Sequence, residues 1–201
     1  MKWITILALT GSTFLILTGT AIYSQQTVQD ARIQPALIEA RQVSNELAEK
    51  VRELLLKEME KGGFINAIKI CSEEAQRITH SIRVQKGHSL RRVSLRYRNP
   101  RNIPEEHERK RLEEFDRLNR EKKLDHEYFE IAREGDKEYL SYMKPLIALP
   151  LCMTCHGPKE NIPVEVKSIL AEKYPGDRAT GFLVGDVRGA ISVKILLRAS
   201  K

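Results

Sequence analysis

Leu90-Arg91-Arg92-Val93-Ser94-Leu95-Arg96-Tyr97-Arg98 is the stretch at which the apolar period of this 201-residue chain changes. Val93, Leu95 and Tyr97 alternate with Arg92, Ser94, Arg96 and Arg98, which is the pattern of a half-buried strand. Asn99-Pro100 ends it. Everything upstream reads with a period of three to four. Leu37, Ala40, Val43, Leu47, Val51, Leu54 and Leu55 mark one face of a long helix over Val28–Lys61, with Pro35 near its start. Gly62-Gly63 stops that helix, and Phe64, Ala67, Ile68, Cys71, Ala75, Ile78 and Ile82 stripe a second one.

Downstream, acidic Glu105 and Glu106 open a helix that turns Leu112, Phe115 and Leu118 inward. Short strands are expected at Tyr128–Ala132 and Glu138–Met143, and a short helix at Val164–Tyr174. Two closing strands, Thr180–Val184 and Ala190–Leu197, are expected to join through Gly185-Asp186-Val187-Arg188-Gly189. Helices first and an antiparallel sheet later predict an α+β domain.

The chemistry lies in Cys152-Met153-Thr154-Cys155-His156. Two cysteines separated by two residues and followed at once by histidine form the attachment site of a c-type haem. The thiols link to the two vinyl groups from one turn of backbone, and the adjacent imidazole supplies an axial ligand. Cys-x-x-Cys also serves redox dithiols and zinc sites, but no second Cys or His pair completes a zinc tetrahedron. One covalently attached haem c is the expected cofactor.

The amino terminus agrees with that expectation. Met1-Lys2 precedes an apolar run from Trp3 to about Tyr23, the pattern of an export signal. The run is longer than most signal cores and close to a bilayer span. Residues 1–24 are therefore expected to be either a cleaved signal peptide or a retained membrane anchor, and 25–201 a single domain. Both alternatives put the domain outside the cytoplasm, in the periplasm or an equivalent compartment.

Cys71 is then left without an intrachain partner. On an apolar helix face it reads either as a buried small hydrophobe or as the second axial ligand. Met143, Met59, His80 and His88 are rivals for that position, and an open sixth site is a further alternative.

The formal net charge is +7. Between Arg83 and Lys123 fourteen basic residues face seven acidic ones, which equals the whole surplus. Export removes nucleic acid as a partner. The cations then serve the haem propionates, steer acidic redox proteins or anionic lipid, or protect an edge strand. Arg92 and Arg98 are the candidate propionate contacts. The long first stripe also suits a homodimer, although packing on the domain's own sheet is the simpler use.

Several of these blocks together resemble one family. Cys71 on a helix, then Arg92 to Pro104 reading RVSLRYRNPRNIP, is similar to its arginine- and asparagine-rich block. Tyr142-Met143-Lys144-Pro145 before Leu151-Cys152-Met153-Thr154-Cys155-His156-Gly157 matches as well. So does the ending from Tyr174-Pro175-Gly176-Asp177 through Gly185-Asp186-Val187-Arg188-Gly189-Ala190. This is the family of PAS-like monohaem c-type domains, found alone or fused to sensor kinases. The resemblance implies a PAS-like antiparallel sheet and His/Cys axial ligation, with His156 on one side of the iron and Cys71 on the other. A thiolate ligand implies a low midpoint potential, and its release on reduction would admit a small gas.

Two classes of function compete. One is a non-enzymatic haem module that passes single electrons to a redox partner protein, or senses redox state or a small ligand. The other is a haem enzyme, a small peroxidase or a nitrite- or NO-converting protein, which needs an open iron position with acid–base groups beside it. A thiol oxidoreductase built on Cys152 and Cys155 is a third. The chain stops at Lys201 after the last expected strand, which favours a freestanding redox protein over a fused sensor.

Overall fold

The computed structural model describes the backbone of residues 19–199 and the side chains of 31–198 other than 69–72. The expected leader over 1–24 lies outside the described residues, apart from the backbone of 19–24. Among the described residues no helix is long and apolar enough to cross a membrane.

The chain is an α+β domain. Helix α1 (Gly19–Lys86) is broken at Gly62 and Gly63, whose backbones leave helical geometry. Gly63 takes φ +66° with ψ −165°, a conformation essentially reserved for glycine that costs other residues about 1–3 kcal/mol. The double glycine thus ends the first helical segment where the sequence says it should, and a second begins at once. The first segment starts earlier than Val28, and Pro35 lies inside it rather than at its start. The cost of an interior proline is offset by the burial of Leu37, Ala40, Val43 and Leu47 in the next three turns. Each large one contributes about 1.5–3 kcal/mol by leaving water.

Those residues pack on a four-stranded antiparallel sheet of order β1-β4-β3-β2. The strands are β1 (Ser89–Val93), β2 (Tyr128–Glu134), β3 (Lys137–Ile147) and β4 (Val187–Ala199). Leu140 and Tyr142 of β3 and Ile191, Val193 and Ile195 of β4 face α1. Their alternate neighbours Met143 and Ala190 face α2 (Glu106–Arg120), where Leu112 and Phe115 cover them. Leu118, expected inside with them, is only half-buried. From Leu37 to Val51 the apolar stripe of α1 is therefore used by the domain's own sheet.

The expected strands differ from the observed ones in extent: β2 runs on to Glu134 and β4 covers Val187–Ala199 rather than Ala190–Leu197. β1 ends at Val93 because the Ser94 N–H donates to the Asn102 carbonyl (3.1 Å) rather than to β4. The Ser94 hydroxyl lies within 3.0 Å of the Arg96 and Arg188 carbonyls, holding residues 94–98 away from the sheet. β3 continues past Met143 through Pro145, where only β4 is its neighbour and a missing N–H is tolerated. Thr180–Val184 is not a strand of the sheet, and Gly185–Gly189 is not a hairpin. Gly181 and Phe182 instead donate their N–H groups to the carbonyls of Gly157 (2.7 Å) and His156 (2.9 Å).

Candidate functional site

The Cys-x-x-Cys-His stretch folds as a 3-10 turn, Pro150–Cys152, running into the single turn α3 (Met153–His156). Gly157 closes it with an N–H bond to the Met153 carbonyl of 2.8 Å. A Cβ at Gly157 would sit 2.6 Å from that same oxygen, so the tight exit needs glycine. Helix α4 (Val164–Lys173) then packs on α1 beyond the break, joining Ile68 to Val166 and Leu170.

The turn, the broken helix and the 94–102 loop enclose a cavity of about 260 Å³. Cys152, Cys155 and His156 all line it. The opposite wall is apolar. Val51 and Leu55 come from before the helix break, and Phe64, Ala67, Ile68 and Ala75 from after it. One corner is cationic, with Arg92, Arg98 and Arg188 lining it beside Asn99 and Asn102. The six residues named from the sequence thus divide cleanly. Five of them, Cys152, Cys155, His156, Arg92 and Arg98, meet at one cavity. The side chain of Cys71 lies outside the described residues. Its place in α1 is three residues after Ile68 and four before Ala75, both of which line the cavity.

The rival ligands are elsewhere. Met143 is buried in the α2 core, and His80 is exposed over a different cleft. His88 sets its Nε2 3.1 Å from the Glu39 carboxylate, far along α1. Met59 is half-buried and off the lining. Among the described residues, His156 is the only imidazole on that lining.

His156 is held by the segment that was expected to be a strand. Its Nδ1 lies 2.7 Å from the Ala179 carbonyl oxygen, and a carbonyl can only accept. Nδ1 is therefore protonated and Nε2 carries the lone pair, the form a metal ligand requires. Phe182, almost fully buried, meets the imidazole edge-on at a centroid distance of 6.3 Å. Burial, and after it the charges of Arg188 and Arg98, push the His156 pKa well below the ordinary imidazole value, so the ring is neutral.

Behind His156 runs a short chain of hydrogen bonds. Arg98 donates through Nε to Asp177 (3.0 Å) and through Nη2 to the Cys155 carbonyl (2.5 Å). The other Asp177 oxygen accepts the Ala179 N–H at 2.8 Å. Arg98 thus braces the motif turn as well as lining the cavity. Arg188 donates to Ser94 Oγ at 3.0 Å, while its buried Nε has no hydrogen-bond partner. Burial, then the neighbouring Arg98 charge, lowers the Arg188 pKa to about 10.

Arg188 and Asp177 were not singled out from the sequence. Both stand in the closing block that carried the family resemblance, but the expected hairpin gave Arg188 no task. A lone basic residue between two turn glycines was the available signal.

These residues fit the expected haem. Three guanidinium groups against the single carboxylate of Asp177 leave a surplus of two positive charges at one corner, matching two propionates. An orphaned buried Nε, a dry wall and a correctly protonated imidazole complete the match.

A model of the Tll0287-like family matches residues 22–195. The chain belongs to the Tll0287-like family. That span contains every residue lining this chain's cavity, from Val51 to Arg188. The crystal structure of the cyanobacterial haem-protein Tll0287 superposes with a TM-score of 0.63 at 25% sequence identity, covering 82% of this chain and 97% of that one. No curated protein sequence matches this Tll0287-like chain.

Proposed function

We propose that this protein is an extracytoplasmic monohaem c-type cytochrome that exchanges single electrons with a partner protein, or reports redox state or a small gas. The observation that carries the reading is the juxtaposition of the Cys152–Cys155–His156 turn with a dry wall and a cationic corner around one cavity. Membership of a family that includes a haem protein supports it. The order of the sheet, with α1 laid across one face, supports the PAS-like reading of the fold.

Once attached, the haem supplies a one-electron iron couple. The chain's own residues then have distinct tasks. Cys152 and Cys155 tether it. His156 offers Nε2 because Ala179 holds the proton on Nδ1. Arg92 and Arg188 neutralise the propionates, and Arg98 serves both the propionates and the turn. Val51, Leu55 and Phe64 exclude water from the far side. Cys71, whose place in the helix falls between Ile68 and Ala75, would supply the second ligand to the iron. A thiolate ligand would add negative charge at the metal and hold the midpoint potential low. The apolar leader delivers the domain out of the cytoplasm, where it stays anchored or is released.

The test is absorbance and electron paramagnetic resonance of the purified chain and of Cys71→Ala. The expected result is low-spin ferric iron whose thiolate character disappears in the variant. Unaltered low-spin spectra in Cys71→Ala would remove sulfur from the sixth position. A colourless product of apoprotein mass, made in a host able to mature c-type cytochromes, would end the haem reading altogether.

A further inference from the structure

The four apolar side chains Ile147, Leu149, Leu183 and Val184 are 39–61% exposed. They lie at the end of β3 and in the two loops, 148–149 and 183–186, that the fold ties together. The Ala148 N–H donates to Asp186 and the Gly185 N–H to Ala148, both at 2.8 Å. These exposed residues therefore form one patch rather than scattered surface positions.

The patch lies directly over the haem-attachment turn. The Leu149 N–H points at Cys152 Sγ (3.4 Å). Beneath the patch, Ala148 and Phe182 are buried against Met153, and Phe182 touches His156 edge-on. Leu149 itself adjoins Cys152, and one layer of side chains separates the surface from His156. Its rim is basic. Asn119 donates to the Gly185 carbonyl at 2.9 Å, which sets the C-terminal end of α2 against the patch. Arg120 and Lys122 there are exposed and make no ion pair among the described residues.

We infer that the face of Leu149, Leu183 and Val184, rimmed by Arg120 and Lys122, is the docking surface for an acidic one-electron protein. This rests on the haem reading above and adds the partner's chemistry and the side from which it approaches. An apolar centre excludes water, and a charged rim steers the encounter. Electron exchange falls steeply with distance, and this face stands one layer of side chains from the attachment turn. The exposed apolar side chains and the unpaired cations coincide there.

The experiment is stopped-flow reduction of the haem-loaded full chain by a low-potential plant-type ferredoxin, an acidic carrier, over a range of ionic strength. A small neutral reductant serves as control. Val184→Glu and Lys122→Glu are each expected to lower the ferredoxin rate constant about tenfold at low salt. The Lys122→Glu effect fades as salt is raised. The milder Val184→Ser keeps a threefold or larger loss at every salt concentration. Absorbance, midpoint potential and the control rate stay at wild-type values. Ferredoxin rates unchanged in all three variants, with haem bound, would overturn the docking surface while leaving the cytochrome intact. Loss of binding to anionic vesicles in Val184→Glu, with unchanged ferredoxin rates, would overturn it in favour of lipid. A chain that holds no haem would fail at the earlier step.

Discussion

The Nδ1 of His156 and the carbonyl oxygen of Ala179 stand 2.7 Å apart, and this pairing decides which imidazole nitrogen is available as a ligand. Ala179 is held in turn by Asp177, whose second oxygen binds Arg98. Asp177→Asn keeps an acceptor for the Ala179 N–H but leaves the Arg98 charge uncompensated. A net positive change near the iron favours the reduced state. The midpoint potential should rise by roughly 60 mV, a tenfold shift for a one-electron couple, as read by redox titration. Asp177→Ala should also broaden the axial-ligand signals, because the Ala179 loop loses its anchor.

Arg188 is buried with an unpartnered Nε, and its pKa is lowered to about 10. Removing a buried charge relieves its desolvation cost. Arg188→Met should therefore raise the thermal stability of the apoprotein, by on the order of 1 kcal/mol. In the haem-loaded protein the same change deletes a cation and should lower the midpoint potential. The two opposite signs, measured by calorimetry and redox titration, separate a cofactor role from a packing role.

Gly157→Ala forces a Cβ to within 2.6 Å of the Met153 carbonyl, a backbone atom that cannot step aside cheaply. A loss of about 1–3 kcal/mol is expected by denaturant unfolding, together with a lower yield of covalently attached haem. Gly63→Ala meets nothing within 4 Å, so its penalty is that of the backbone conformation alone, about 1–3 kcal/mol.

Asp116 is half-buried, and its pKa is raised chiefly by that burial, with Arg120 and Arg96 opposing. A carboxyl whose folded pKa exceeds its unfolded one binds more protons in the folded state over that interval. Its contribution to stability is thus lost as pH rises through the folded pKa. Asp116→Asn should leave stability unchanged below about pH 3.8 and raise the melting temperature slightly at pH 7. Equal melting curves at both pH values would contradict this.

Much of the architecture was legible in periodicity. Leu37, Val43 and Leu47 announced their helix, and Gly62-Gly63 announced its break, because those signals are local. The strand at Leu90 was legible only as far as Val93. Past it, alternation persists in Leu95 and Tyr97, but long-range bonds from Ser94 to Asn102 and Arg188 overrule it. Thr180–Val184 failed for the same reason, since its partner is the motif turn rather than a strand. The cysteines and His156 were visible because spacing alone defines them. Asp177 and Arg188 were hidden because their roles depend on neighbours some 80 or 90 positions away, Arg98 and Ser94.

The cavity draws on residues as distant in the chain as Val51 and Arg188, so it cannot exist before nearly the whole domain has folded. The two thiols, by contrast, sit within reach of each other at every moment of the polypeptide's life. A pigment fastened through them would be captured first and enclosed afterwards, arriving as part of the material around which the remaining walls assemble.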